Sequence, residues 1–442
     1  MTTKIKKEIS NFILNLITNI YKKIFHEQIS KGHIHFIRNI FYVGIGSIIS
    51  TGLSFSFNIL AGRILGPSIY GEYTLLRSIA MLLYIPMIMG ISTALVKYNS
   101  GISDLKRQQM IISTSFILTS FSIIIFSFIY FLYIHEISKI FSTYNDLISA
   151  AIFFAILFAG NIFTTNVLRS LHKMKKFAML RLVYGIVLLL SFIYFVYLDY
   201  HSYKSMLYPT YLANLIPSII IIRTQRKYFK PKFDKMWAKK ILTYSNLSFI
   251  GGISCVLYMN IDNILINHYM HVKDIGIYNA YYFASLNLVS VVTGIFTTVF
   301  FPTISQINDK RMILKQVNTI IGYVIFIGAP ILFFAEYVIL KLYGQEYQID
   351  KLLMLIFNVT SILYIYNEIY VWFLNSVGLK GVKITLISAL TIATSDIIFN
   401  VILIPIYGIY GAISATALAY FIGLCSLLSL WKIYKPSLEN ES

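Results

Sequence analysis

Long apolar runs alternate along the chain with short clusters of Lys, Arg, Asn and Asp. A helix crossing ~30 Å of hydrocarbon needs about 20 mostly apolar residues. Cut at that length, the pattern predicts twelve spans, near 39–62, 72–96, 109–133, 147–168, 178–198, 206–222, 241–266, 276–300, 316–336, 352–374, 384–404 and 408–430. The seventh, crowded with Asn246, Asn260 and Asp262, is the most polar of them.

Composition removes the soluble alternatives. Apolar residues make up 57% of the chain and charged residues 12%, with a mean hydropathy of +0.72, too little polar surface to clothe soluble domains. The net charge of +19 would suggest nucleic acid in a soluble protein. Here the basic residues fall between spans, where topology accounts for them, so no nucleic-acid partner is expected. With the N-terminus inside, 29 Lys and Arg lie on the cytoplasmic side and 6 outside, so both termini are expected in the cytoplasm. The outer loops are too short for an extracytoplasmic catalytic domain. Cys255 and Cys425 sit in separate apolar segments, which removes a disulfide framework and a cysteine metal cluster.

Residues 1–38 place Ile5, Ile9, Phe12, Ile13, Leu16 and Ile20 at helical spacing opposite Lys and Asn, as expected of a helix lying on the inner leaflet. A basic tail is the plainer alternative. The inner loop 223–240 carries eight basic residues and divides the spans six and six. The expected organisation is therefore an amphipathic segment (1–38), a six-helix lobe (39–222), a basic linker suited to anionic membrane lipids (223–240), a second six-helix lobe (241–431) and a tail (432–442).

Sliding the chain on itself by 205 or 206 residues superposes the two lobes. Gly71 and Tyr73 fall on Gly276 and Tyr278, and Asn161, Leu168 and Ser170 on Asn367, Leu374 and Ser376. Six spans is an even number, so the copies are parallel, related by an axis along the membrane normal. The copies differ in charge, and charge within a bilayer usually faces a cavity. Asp262, Glu368 and Asp396 fall on Phe57, Ile162 and Leu190, whereas Arg63, Arg77 and Arg181 fall on His268, Tyr282 and Ile387. Each has a plainer reading. Arg63 can snorkel at a helix end, Arg77 can pair with Glu72 or Asp262, and Arg181 is close enough to the inner interface to be a topology residue. Glu368 and Asp396 can be buried partners of an Arg, and Asp262 can cap a helix or pair.

The stretch RILGPSIYGEY (63–73), with DNILINHYMHVKDIGIYNA (262–280), FPTIS (301–305) and IPIYGIYGAISATALAY (404–420), resembles the Wzx-type flippases, the polysaccharide transporter branch of the multidrug/oligosaccharidyl-lipid/polysaccharide exporter superfamily. The likeness covers roughly residues 36–432. It implies an all-α membrane protein of about twelve helices, two pseudo-symmetric six-helix bundles in a V, working by alternating access. The implied substrate is a polyprenyl-pyrophosphate-linked oligosaccharide moved to the outer leaflet of a prokaryotic plasma membrane. Polysaccharide polymerase and glycosyltransferases are the implied partners.

Arg77, with Arg63 at the outer mouth, is then the candidate pyrophosphate contact, because the guanidinium fork suits phosphate. Glu368, Asp396 and Asp262 are candidates for a coupling proton or sodium ion. The rival readings are small-molecule export of the MATE type, a glycan polymerase or ligase, and a non-transporting scaffold. No GxxxxGK[ST], HExxH or CxxC spacing occurs, so neither enzyme activity nor a cofactor is expected.

Overall fold

The computed structural model describes residues 31–199, 201–230, 232–294, 322 and 324–439. They are helical nearly throughout, with no strand among them. In hydrocarbon every backbone N–H and C=O must be satisfied within its own segment, and apolar runs of this length satisfy them as helices.

The first helical run, Lys31–Ile88, is two spans. Gly66 breaks it with φ 74° and ψ 169°, a conformation open to glycine and strained for other residues. The chain folds back there: the Tyr70 hydroxyl donates to Asn58 Oδ1 at 3.3 Å, although twelve residues of straight helix would hold them about 18 Å apart. Spans 3 to 6 are Leu105–Leu132, Asn145–Ser170, Met174–Tyr197 and Lys204–Thr224. Span 7, Lys235–Tyr269, is bent by 46° between Lys235–Asn246 and Gly251–Tyr269. Span 8 runs Val272–Gly294 and span 9 Ile325–Tyr343, followed by Lys351–Asn375, Leu379–Tyr407 and Ile409–Glu439. With the first run counted as two and the bent helix as one, the described residues hold twelve spans, the number the apolar pattern predicts.

Several boundaries differ from the sequence reading, and three of the differences matter most for the interior of the bundle. Span 2 stops at Ile88, where Met89 and Gly90 take positive φ, and a separate helix, Ile91–Asn99, completes the crossing. Span 7 begins six residues earlier than the apolar run, because Asp234 caps it by accepting from the Trp237 N–H. Span 9 extends to Tyr343 rather than to residue 336, so Glu336 lies within the helix instead of at its end. The FPTIS segment, Pro302, residues 295–300 of the expected eighth span, most of 316–323 and the amphipathic stretch 1–30 lie outside the described residues.

The exposed faces are those of a lipid-embedded bundle. Phe121, Ile124, Phe128, Phe334 and Ile406 all point outward and are more than half exposed. The interior instead holds small and polar side chains such as Ser113, Thr114, Ser388 and Asn400. The basic segment after span 6 is tied down. Gln109 and Ser113 of span 3 donate to the carbonyls of Lys227 and Tyr228, and Thr114 accepts from the Asp234 N–H. The eight Lys and Arg of 223–240 remain exposed.

The repeat pairing has a structural expression. A Cβ added to Gly71 would stand 2.0 Å from the Val272 carbonyl oxygen, and one added to Gly276 would stand 1.9 Å from that of Pro67. Each glycine admits the backbone of the other half, so the pseudo-symmetric turns interlock at this end of the bundle, called here the Gly66 end. The opposite end is the Arg226 end.

Candidate functional site

A cavity of ≈470 Å³ lies among spans 1, 2, 4, 5 and 6, with Phe283, Asn287 and Val291 of span 8 forming its far wall. It occupies the middle of the bundle and the half nearer the Arg226 end. Two lining residues are cations, Arg77 of span 2 and Arg181 of span 5; no Asp or Glu among the described residues lines it. The remaining wall alternates aromatic faces (Phe55, Phe154, Phe158, Phe177, Tyr184) with small polar groups (Ser54, Asn58, Asn161, Thr165, Asn214). The polar groups are held by helix backbone and by one another. Tyr73 and Thr210 share a hydrogen bond of 2.8 Å, Asn161 donates to the Asn214 carbonyl at 3.0 Å, and Asn58 donates to that of Ser54 at 2.8 Å.

Neither arginine is neutralised. Among the described residues no carboxylate lies within 4.0 Å of Arg77 or Arg181, and both side chains are exposed to the cavity. The two expected partners of Arg77 are engaged elsewhere: Glu72 accepts from the Tyr144 hydroxyl, and Asp262 is enclosed in a cluster in the other half. The guanidinium of Arg181 stacks over Phe177, 4.9 Å from its centroid. Sequence reasoning favoured topology for this residue; the structure turns it into the cavity with Arg77. Its sequence signal was the same as that of Arg77, an Arg whose repeat counterpart is apolar. Arg63, by contrast, is exposed at the Gly66 end beside Gly344 and does not line the cavity.

The C-terminal half carries the acidic counterpart. Asp262 of span 7 and Asp396 of span 11 are both buried, 3% and 0% exposed. Asn400 bridges them through its amide nitrogen, 2.7 Å from Asp262 Oδ1 and 3.1 Å from Asp396 Oδ1. Tyr278 and, at 3.1 Å, Thr416 donate to the other oxygen of Asp262. Asp396 Oδ2 and Asn400 Oδ1 are buried acceptors with no hydrogen-bond partner among the described residues. Two carboxylates, an amide oxygen and a hydroxyl in one buried pocket form an all-oxygen donor set, which suits a hard cation or a shared proton. Glu368 does not join them. It is half-buried and accepts from Trp372 Nε1 at 3.2 Å.

A hydrogen bond connects the two regions. Asn263, next to Asp262, donates to the Ser78 hydroxyl at 2.8 Å, and Ser78 follows Arg77. At the Gly66 end the halves are packed shut. Tyr70 and Tyr343 hydroxyls meet at 3.4 Å, Tyr347 donates to the Gly62 carbonyl at 3.1 Å, and Asn267 donates to the Phe141 and Ser142 carbonyls.

This fold is that of transporters of the MOP superfamily. The chain superposes on an inward-facing multidrug resistance MATE family transporter with a TM-score of 0.66 at 13% identity, covering 89% of this chain and 96% of that one. On the lipid II flippase MurJ in an inward closed conformation the TM-score is 0.64 at 18% identity, covering 88% and 87%. Residues 36–308 match the family described as polysaccharide biosynthesis protein, and the chain belongs to that family. It is also 23% identical over 215 residues to an uncharacterized membrane protein of Methanocaldococcus jannaschii, a match spanning 46% of this chain and 42% of that protein.

Proposed function

We infer that the chain is a flippase that carries a polyprenyl-pyrophosphate-linked oligosaccharide from the inner to the outer leaflet. The observation that carries this reading is the cavity itself, which among the described residues presents two arginines without a carboxylate partner and no carboxylate in its lining. An organic cation would meet two like charges there and, among the described residues, no counter-charge. A pyrophosphate gains charge-assisted hydrogen bonds from Arg77 and Arg181, and the guanidinium forks match its oxygens. Amides, hydroxyls and aromatic faces along the same wall suit the sugar units next to the phosphates. Arg63 would serve earlier or later in the passage, at the outer mouth, and not in the cavity.

The orientation that goes with this reading puts the Arg226 end in the cytoplasm, where the eight exposed basic residues of 223–240 meet anionic lipid. The cavity then lies toward the leaflet in which the substrate is made. In the second half, Asp262, Asp396, Asn400 and Thr416 would hold the coupling proton or sodium ion, with Glu368 a separate carboxyl on span 10. Ion occupancy would reach the substrate through Asn263 and Ser78, which tie the acidic cluster to the helix bearing Arg77.

Binding to the purified protein in nanodiscs tests the reading. Polyprenyl pyrophosphate should bind in preference to the monophosphate and to the free alcohol, and Arg77→Ala with Arg181→Ala should erase that preference. Equal affinity for all three lipids in the parent protein would refute a pyrophosphate site.

A further inference from the structure

Span 9 holds a carboxyl group that the proposed transport cycle does not use. Glu336 is 0% exposed, and both of its oxygens lack a hydrogen-bond partner among the described residues. It shares one helix face with Leu332, Leu340 and Tyr343, all buried. That face packs against span 8 where the helix widens into a single π turn, Phe283–Asn287, a local distortion common at functional positions. Among the described residues the titratable groups on this side of the packing include Tyr281 of span 8, Asp350 ahead of span 10 with its partner Tyr410, and Tyr343 with Tyr70 and Tyr347. The Tyr281 hydroxyl is already engaged, donating to the Gln348 carbonyl and accepting from the Asp350 N–H. No cation is among these described groups.

An ionised carboxylate in such surroundings would have lost its water and gained nothing in return. The neutral acid avoids most of that penalty. A metal cation would need several oxygen ligands, and no second carboxylate joins Glu336: no group of three His, Cys, Asp or Glu able to hold a metal occurs among the described residues.

We propose that Glu336 is a proton-binding site, separate from the Asp262–Asp396 cluster, that stays loaded while the halves are packed together at the Gly66 end. Its access is set by that packing. Two helical turns along the same face, Tyr343 meets Tyr70 and covers Gly62. Parting those contacts would admit water to the face that carries Glu336, and there the carboxyl can exchange its proton. The proposal does not involve the arginine-lined cavity and holds whatever its substrate is.

Infrared spectroscopy of the full chain in nanodiscs tests it. The spectrum of the parent minus that of Glu336→Gln should contain a carboxylic acid C=O band at neutral pH that shifts in D2O, and Asp262→Asn with Asp396→Asn should leave that band in place. A difference containing only carboxylate bands would overturn the proposal. Loss of the acid band on adding sodium chloride would do the same, by making the ligand a metal ion. A second measurement leaves residue 336 unaltered. In Glu368→Gln protein carrying glutamate labelled with carbon-13 at the side-chain carboxyl, an isotope-shifted acid band must persist at neutral pH. Its absence would mean that Glu336 is ionised.

Discussion

Arg77 and Arg181 share an environment, and the consequences of removing either follow from it. A hydrogen bond to a charged group contributes about 1.5–3 kcal/mol, so Arg77→Ala should lower substrate affinity roughly 10- to 100-fold. Arg181→Ala should act comparably, and Arg77→Lys should retain part of the affinity because a point cation attracts phosphate without the fork. Arg63→Ala should leave affinity near that of the parent. Titration with the lipid-linked substrate checks all four; a loss in Arg63→Ala equal to that in Arg77→Ala would displace the site toward the Gly66 end. The charge asymmetry of the repeats makes Arg77 legible in the sequence. Arg181 is harder to read, because seven residues into its helix an Arg can equally reach the interface, and only the packing of spans 1, 4 and 5 decides. Asn400 and Thr416 carry no sequence signal, since an amide and a hydroxyl in an apolar run are common; they join the carboxylate cluster only because spans 11 and 12 bring them to Asp262. Glu336 is missed for a different reason, an apolar run whose end was placed seven residues short.

At the scale of the helix, caps and tight crossings are the testable features. Asp350 precedes span 10 and accepts from the N–H groups of Leu352 and Leu353 at 2.8 and 3.1 Å, as well as from the Tyr410 hydroxyl. The Tyr410 bond first, then those backbone N–H groups, hold the Asp350 carboxyl below its usual value. A lowered carboxyl contributes stability above the unfolded value of about 3.9, and that stability is lost as pH falls through the folded value. Asp350→Ala should cost about 1 kcal/mol of thermal stability at neutral pH, and the difference from the parent should shrink on acidification below about pH 4. A difference that grows with acid would contradict the assignment. Asn263→Leu should break the bond to Ser78 while leaving the cavity intact: substrate should still bind, but sodium or proton concentration should no longer alter its affinity. Retention of that ion dependence would remove Asn263 and Ser78 from the link. The number of spans is legible from apolar length alone. The reversal at Gly66 is equally so, since Gly66, Pro67 and Gly71 are turn residues between two apolar runs. The break at Met89 and Gly90 and the bend in span 7 arise from packing between halves and leave little trace in the local pattern.

For the molecule as a whole, the account requires the Gly66 end to open when the Arg226 end closes. Gly71 and Gly276 admit each other's turn backbone, so Gly276→Leu should wedge that end apart. Labels at Asp146 and Lys273 should then separate in distance measurements, and an unchanged distance would show that this contact is not the gate. The two halves divide the charge: an arginine-lined cavity in the first and a buried carboxylate cluster in the second, with the Asn263–Ser78 hydrogen bond between them. The central claim is that the arginine cavity carries a lipid-linked pyrophosphate across the membrane. Reconstitution into liposomes with a fluorescent polyprenyl-pyrophosphate oligosaccharide in the cytoplasmic-side leaflet, under an imposed proton or sodium gradient, measures this directly. Translocation by the parent is expected, with its loss in the Arg77→Ala, Arg181→Ala protein and slower, gradient-independent movement in Asp262→Asn. Equal translocation by the parent and the double arginine variant, both folded and equally abundant, would contradict it.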